Sequence, residues 1–243
     1  MSTLEARGGV TGYGDLQVLF GVDMTMAAGA VTAILGPNGA GKSTLLGALA
    51  GVLRFWSGSI SIDGEDITRS STAARLQGGI TLVPQGRELF GPLTVRENLE
   101  LGAFIFGLPR QALRERVDAT LALFPDLQPR LELKAESLSG GQQQMLAIGR
   151  ALMGTPKFLL IDEPSQGLGP MVVESVLQSL RALACEGTGV VLAEQDGTAG
   201  LKVADTCYVM RSGTVAWSGS KAEALSQGVL AALYFGGRLP TGG

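Results

Sequence analysis

The chain contains no histidine. No other side chain changes charge near neutral pH at its ordinary pKa, so an enzyme built from this sequence must run its proton chemistry through other groups. Cysteine is almost as scarce. Cys185 and Cys207 fit no zinc or redox spacing, and their apolar contexts predict two buried free thiols. Long apolar runs are missing too: no segment approaches the roughly 18 residues needed to span a bilayer, and the opening MSTLEARGGV lacks the apolar core of a signal peptide. A soluble, intracellular protein is expected, with any membrane role supplied through a partner. There is no basic excess either. Lys and Arg number 19 against 22 Asp and Glu, a net charge of -3, which argues against binding nucleic acid through a strong positive field.

What is present is apolar residue and glycine: 45% hydrophobic with 36 Gly in 243 residues, of which aromatics are only 5%. This mix suits strands alternating with helices through tight turns, in one α/β domain with room for a small inserted lobe. GAVTAILG (Gly29 to Gly36) reads as a buried strand, and KSTLLGALAG follows with helical spacing and a stop at Gly51. SGSISIDGEDI alternates Ile60 and Ile62 before turning at Asp63 and Gly64, and GGITLVPQ is a further strand ending at Pro84. From Thr94 to about Arg130 the pattern is helical, broken at Pro109 and Pro125, and reads as an inserted lobe. KFLLIDEP, GVVLAEQD and DTCYVMRSG are three more strands; the helix between the first two opens at Pro170 and stops at Gly187.

Two of these strand ends carry chemistry. GPNGAGKST (Gly36 to Thr44) fills every fixed position of G-x-x-x-x-G-K-[ST] and lies between a strand and a helix, as phosphate binding requires. Gly36, Gly39 and Gly41, with Asn38 and Ala40 between them, let backbone N–H groups wrap phosphates, and the helix N-terminus adds its dipole. Lys42 would reach the β- and γ-phosphates of ATP, and the Ser43 hydroxyl, next to Thr44, would ligate Mg²⁺. FLLIDEP delivers Asp162 to a strand end where it can hold Mg²⁺, and Glu163 beside it can orient and deprotonate an attacking water. Adjacent carboxylates at a strand end are often merely solvated. A complete phosphate loop in the same chain favours the catalytic reading.

LSGGQQQ (Leu138 to Gln144) opens a helix with Met145, Ile148 and Leu152 on one face, and Ser139 and Gln142 stand at capping-box spacing. Two glycines after the cap leave N–H groups free for an anion. An ordinary helix cap explains the spacing equally well.

GPNGAGKST, LSGGQQQ and LLIDEP, in that order, resemble the ATP-binding cassette ATPases over nearly the whole chain. The resemblance implies a P-loop NTPase core with a mixed sheet, an antiparallel β subdomain and an inserted helical subdomain over about residues 94–153, together forming one cassette domain over residues 1–243. It implies two cassettes joined head to tail, so that Ser139, Gly140, Gly141 and Gln142 serve the ATP of the partner. It places Tyr13 as the ring that stacks on adenine, against the alternative of a core or surface tyrosine. Gln85 in VPQGRELF matches the family glutamine that touches Mg²⁺ or the attacking water and joins the helical lobe to the core.

Several departures narrow the branch. SQGLGP places Gly169 where the family has Asp, and the switch run reads Glu194, Gln195, Asp196 with an amide where histidine is usual. With PQGRELFGPLTVRENLELGA, QQQMLAIGRALM and the terminal ALYFGG, these look like a cassette of branched-chain (hydrophobic) amino acid importers; cassettes of urea and short-amide importers are similar. Gln195 can donate to a γ-phosphate but cannot accept a proton, so Glu163 carries the base role in this reading; a strand-end amide without nucleotide contact is the alternative. The implied partners are membrane-spanning subunits, a second cassette and, indirectly, an external solute-binding protein, with the chain peripheral on the cytoplasmic face of the membrane. A mainly regulatory cassette is the competing reading. A soluble cassette acting on DNA or ribosomes would need insertions or paired cysteines that the interval from Gln85 to Leu138 lacks.

Overall fold

Strands with uninterrupted apolar runs need cover on both faces, and the centre of the molecule is built from such strands. The computed structural model describes residues 1–234. The chain starts with a long antiparallel pair, β1 (Thr3–Tyr13) and β2 (Leu16–Ala27), followed by β3 (Val31–Leu35) and α1 (Lys42–Leu49). β4 (Ser57–Ile62), β5 (Glu65–Asp66), α2 (Thr72–Gln77) and β6 (Ile80–Val83) follow. α3 (Val95–Gly102), α4 (Arg110–Leu123) and α5 (Gly140–Leu152) come next, linked by short 3-10 turns. β7 (Phe158–Asp162), α6 (Pro170–Cys185), β8 (Gly189–Glu194), α7 (Gly197–Val203) and β9 (Thr206–Arg211) complete the alternating part. β10 (Thr214–Ser220), α8 (Lys221–Ser226) and α9 (Val229–Tyr234) end the described residues.

The described strands form two sheets. The first is antiparallel, in the order β2-β1-β4-β5; the second runs β10-β9-β3-β8-β7-β6, parallel except for β10. Side chains alternate across the parallel sheet. Leu159, Ile161, Val190 and Leu192 face the core shared with α5, α6 and α7, while Phe158, Leu160, Val191 and Ala193 face α1 and the antiparallel sheet. These residues are fully buried, and each such large aliphatic contributes about 1.5–3 kcal/mol relative to exposure. Register then aligns the functional ends: Leu35 pairs with Glu194 and Asp162 with Ala193, so β3, β7 and β8 finish at one edge. Ligands of open α/β sheets bind at such carboxyl ends.

α3, α4 and α5 lie between β6 and β7 in the chain and pack on one another, with Leu99, Val117, Leu121 and Ile148 buried among them. The approach is close. A Cβ on Gly149 would meet Thr120 Cγ2 at 2.7 Å, and one on Gly102 would overlap the Arg150 carbonyl. Capping boxes start α3 at Thr94 with Glu97 and α5 at Ser139 with Gln142. No helix among the described residues is long and apolar enough to cross a membrane.

Several features depart from the sequence reading, among them the short helices α2, α7, α8 and α9, which carry no helix expectation. β1, β2 and β10 carry no strand expectation: glycines and register shifts near Ala6, Gly9 and Gly12 break the period of two in the first pair, and a shift between Val215 and Trp217 breaks it in β10. Of the two thiols, Cys207 is buried, and burial pushes it up to about 12, but Cys185 is exposed. Its position is the cause: α6 buries Val176, Leu177, Leu180, Leu183 and Ala184, and Cys185 at the last turn falls off that face. Of the terminal ALYFGG, Phe235 to Gly237 lie outside the described residues.

Candidate active site

The phosphate loop leaves the sheet at Leu35. Gly36 is required there because a Cβ would sit 2.5 Å from the Met210 carbonyl oxygen. Asn38 and Gly39 form the exposed outer turn, Ala40 is buried, and Gly41 takes a left-handed φ of 99° as the residue that caps α1. Lys42, the first residue of α1, turns back across its own loop. Its Nζ donates to the Gly36 carbonyl at 2.8 Å and to the Pro37 carbonyl at 3.2 Å, and lies 3.7 Å from Glu163 Oε1. Burial pulls the Lys42 ammonium below the ordinary lysine range, while Glu163, Asp162 and Glu194 push it back up.

Both carboxylates come from the end of β7 and both are buried. Asp162 Oδ1 has no hydrogen-bond partner. Burial pushes this carboxyl up; the Ser43 hydroxyl and Lys42 pull it down, and Glu163 adds to the rise. A buried, unpartnered carboxylate oxygen beside a hydroxyl is a donor set for a hard cation. Mg²⁺ characteristically takes one or two carboxylates and fills its other positions with phosphate and water, so Asp162 and Ser43 fit it. Gln85 follows β6 through Pro84 and is exposed, yet its Nε2 donates to Glu163 Oε2 at 3.1 Å and to Gln166 Oε1 at 3.0 Å. Glu163 thus sits between an ammonium and a carboxamide. Its backbone takes a left-handed φ of 50° and donates N–H to the Ala193 carbonyl at 2.9 Å.

Gln195, exposed just past β8, lines a recess of about 300 Å³ together with Glu163, Ser165, Gln166, Glu194 and Asp196. Tyr13 ends β1 beside the phosphate loop and is 53% exposed, and the Thr44 hydroxyl donates to its hydroxyl at 3.4 Å. The phosphate loop, Asp162, Glu163, Gln85, Gln195 and Tyr13 are therefore grouped at one edge of the sheet. The signature residues are placed differently. Ser139 and Gln142 close their capping box on each other, and no hydrogen bond among the described residues joins 139–142 to 36–44. Gly141 admits α6, since a Cβ there would meet Val172 Cγ1 at 2.5 Å, and Gly140 lies under Arg87.

Two contributors escape motif reasoning. Arg87 fastens the Gln85 loop to α5 by donating to Gln143 Oε1 at 3.1 Å and Gln144 Oε1 at 3.2 Å. Glu194 is 1% exposed and accepts from Ser165 N at 3.1 Å and from Ser165 Oγ at 2.8 Å. An acidic residue closing a wholly apolar strand was the available signal. Burial pushes the Glu194 carboxyl up to about 7, against the lowering effect of the two Ser165 hydrogen bonds.

The chain matches known proteins in sequence and in fold. Residues 19–166 match the ABC transporter family model. The chain is 40% identical over 227 residues to the high-affinity branched-chain amino acid transport ATP-binding protein BraG of Pseudomonas aeruginosa, covering 93% of this chain and 97% of that one. Its fold is similar to a nucleotide-free ATP-binding cassette from an ABC transporter, with a TM-score of 0.86 and 29% identity over 96% of this chain and 99% of the other. It is also similar to the ATP-binding cassette MJ0796 in a dimeric post-hydrolysis state bound to ADP and Pi, with a TM-score of 0.80 and 26% identity over 90% of this chain and 98% of that one.

Proposed function

The chain belongs to the ABC transporter family, and from that premise we propose that it is the ATP-hydrolysing subunit of an importer for branched-chain amino acids. The observation that carries the proposal is the setting of Glu163, fixed between Lys42 and Gln85 beside the unpartnered Asp162 oxygen. The similarity to BraG over 93% of the chain supports the substrate class.

ATP enters with its adenine on Tyr13 and its phosphates against the N–H groups of residues 36–44. Lys42 exchanges its Gly36 and Pro37 carbonyls for phosphate oxygens, which are stronger acceptors. Mg²⁺ held by Ser43 and Asp162, and approached by Gln85, would neutralise phosphate charge. Glu163 takes a proton from the water that attacks the γ-phosphorus; the bond to the β,γ-bridging oxygen breaks, leaving ADP and phosphate. Gln195 donates its amide N–H to a γ-phosphate oxygen, without accepting a proton.

A second cassette completes the site, its phosphate facing the capped N-terminus at Ser139 to Gln142; in return, this chain receives the partner's corresponding segment. The helical lobe over residues 94–153 meets the membrane-spanning subunits on the cytoplasmic face, and an external binding protein delivers the solute. Co-purification from membranes followed by ATP-driven uptake of labelled leucine, isoleucine and valine tests this reading. Uptake that Glu163→Gln abolishes is expected; uptake of urea or amides in preference would overturn the substrate class, and a cytosolic protein without membrane partners would overturn the importer.

A further inference from the structure

The last two residues of β8 hold the segment that follows β7 at two points. The Ala193 carbonyl accepts the Glu163 N–H at 2.9 Å, and the Glu194 carboxyl accepts both the N–H and the hydroxyl of Ser165. From the other side, Gln85 spans Gln166 and Glu163. Glu163 occupies a left-handed backbone conformation that a non-glycine residue keeps only where its surroundings impose it. Ser165 is the next anchored residue, and Gln195 follows Glu194 directly.

We infer that Glu194 is a positioning residue, a fastener that ties the Gln195 end of β8 to the Glu163 segment through Ser165, so that Gln195 and Glu163 move as one unit. This rests on the functional reading above for the roles of those two residues. The fastening is chemically tolerant. Ser165 N–H needs an acceptor, but its hydroxyl can donate or accept, so a carboxylate, a carboxylic acid or a carboxamide at position 194 can each complete the pair. Alanine cannot, and it leaves both Ser165 donors without their partner.

The test uses the full chain with its membrane partners, comparing parent, Glu194→Ala, Glu194→Gln, Ser165→Ala and the Glu194→Ala/Ser165→Ala double variant. Glu194→Ala is expected to lower kcat for ATP by about ten- to hundredfold with KM unchanged, because misplacing a catalytic group by about an ångström costs that much. Glu194→Gln should restore most of the loss, and the double variant should be no slower than Glu194→Ala, the sign of one shared interaction. Amide hydrogen exchange over residues 163–166 supplies a second readout, independent of turnover: faster exchange in Glu194→Ala and parental exchange in Glu194→Gln are expected. Parental kcat and parental exchange in Glu194→Ala would overturn the inference, as would losses that simply add in the double variant. If parent and Glu163→Gln hydrolyse ATP alike, the functional reading fails instead, and the exchange comparison still decides whether Glu194 is the fastener.

Discussion

Lys42 Nζ lies 3.7 Å from Glu163 Oε1, with both side chains more than nine-tenths buried, and this ion pair spans the gap between phosphate loop and strand end. The two charges do separate jobs, so their removal should separate binding from chemistry. Glu163→Gln keeps a side chain of the same shape that still bonds Gln85, but it cannot take a proton. ATP binding is expected to persist while turnover falls by about 10²–10⁴. Lys42→Ala removes the phosphate-facing cation and leaves the buried Glu163 without its counter-charge, so nucleotide affinity itself should fall. Titration with a fluorescent nucleotide alongside a phosphate-release assay checks both; near-parental turnover in Glu163→Gln would remove it from the base role.

Gln195 offers a neutral donor where a charged one would bind a phosphate more strongly. Truncation to alanine is worth about 1 kcal/mol, which predicts a five- to tenfold drop in turnover. Glu163 remains to take the proton, so the loss should stay far below that of Glu163→Gln. Steady-state rates of the two variants side by side decide the point: equal losses would mean that proton abstraction depends on Gln195.

Tyr13 presents a half-exposed ring beside Thr44 at the mouth of the phosphate loop. Stacking on a base is worth about 1–3 kcal/mol by alanine substitution, so Tyr13→Ala should raise the Kd for ATP by about five- to 150-fold. Tyr13→Phe should bind as the parent does, because the ring face and not the hydroxyl carries the contact. GTP should suffer in proportion to ATP, since stacking reads no base edge. Equilibrium titrations with both nucleotides test this, and a parental Kd for Tyr13→Ala would remove the ring from the site.

The parts of the fold that the sequence made legible are those dictated by local pattern. Apolar runs such as FLLID and VVLAE announce buried parallel strands, and a phosphate loop after one of them announces its neighbours. β1 and β2 stayed hidden because their pairing tolerates glycines and register shifts that erase alternation; only the partner strand gives them order. That is why Tyr13 could be singled out by resemblance but not placed on an element. Arg87 and Glu194 stayed hidden for another reason. Their roles are hydrogen bonds to Gln143, Gln144 and Ser165, residues far along the chain, and no spacing rule connects such positions before the sheet does. Cys185 shows the limit of apolar context, since one step around the last helical turn carries a residue from core to solvent.

Glu194 makes stability depend on pH in a direction opposite to the usual carboxylate. Most paired carboxylates are held below their ordinary range and lose their contribution in acid; this one is pushed up from 4.5 to about 7 by burial. Below pH 4.5 the group is protonated in both the folded and the unfolded chain, and it contributes nothing to the pH dependence. Between about 4.5 and 7 the unfolded chain releases the proton while the folded chain keeps it, so stability falls as pH rises through this window. Above the folded value the full cost remains, on the order of 3 kcal/mol from the size of the shift. Glu194→Gln has nothing to titrate there and keeps the Ser165 hydrogen bonds, so its stability relative to the parent should grow from pH 5 to pH 8 and then level off. Urea denaturation at intervals across that range measures the difference directly. A parent and variant whose stabilities run parallel with pH would show that the folded chain ionises Glu194 as readily as the unfolded one, and that burial has not displaced its proton.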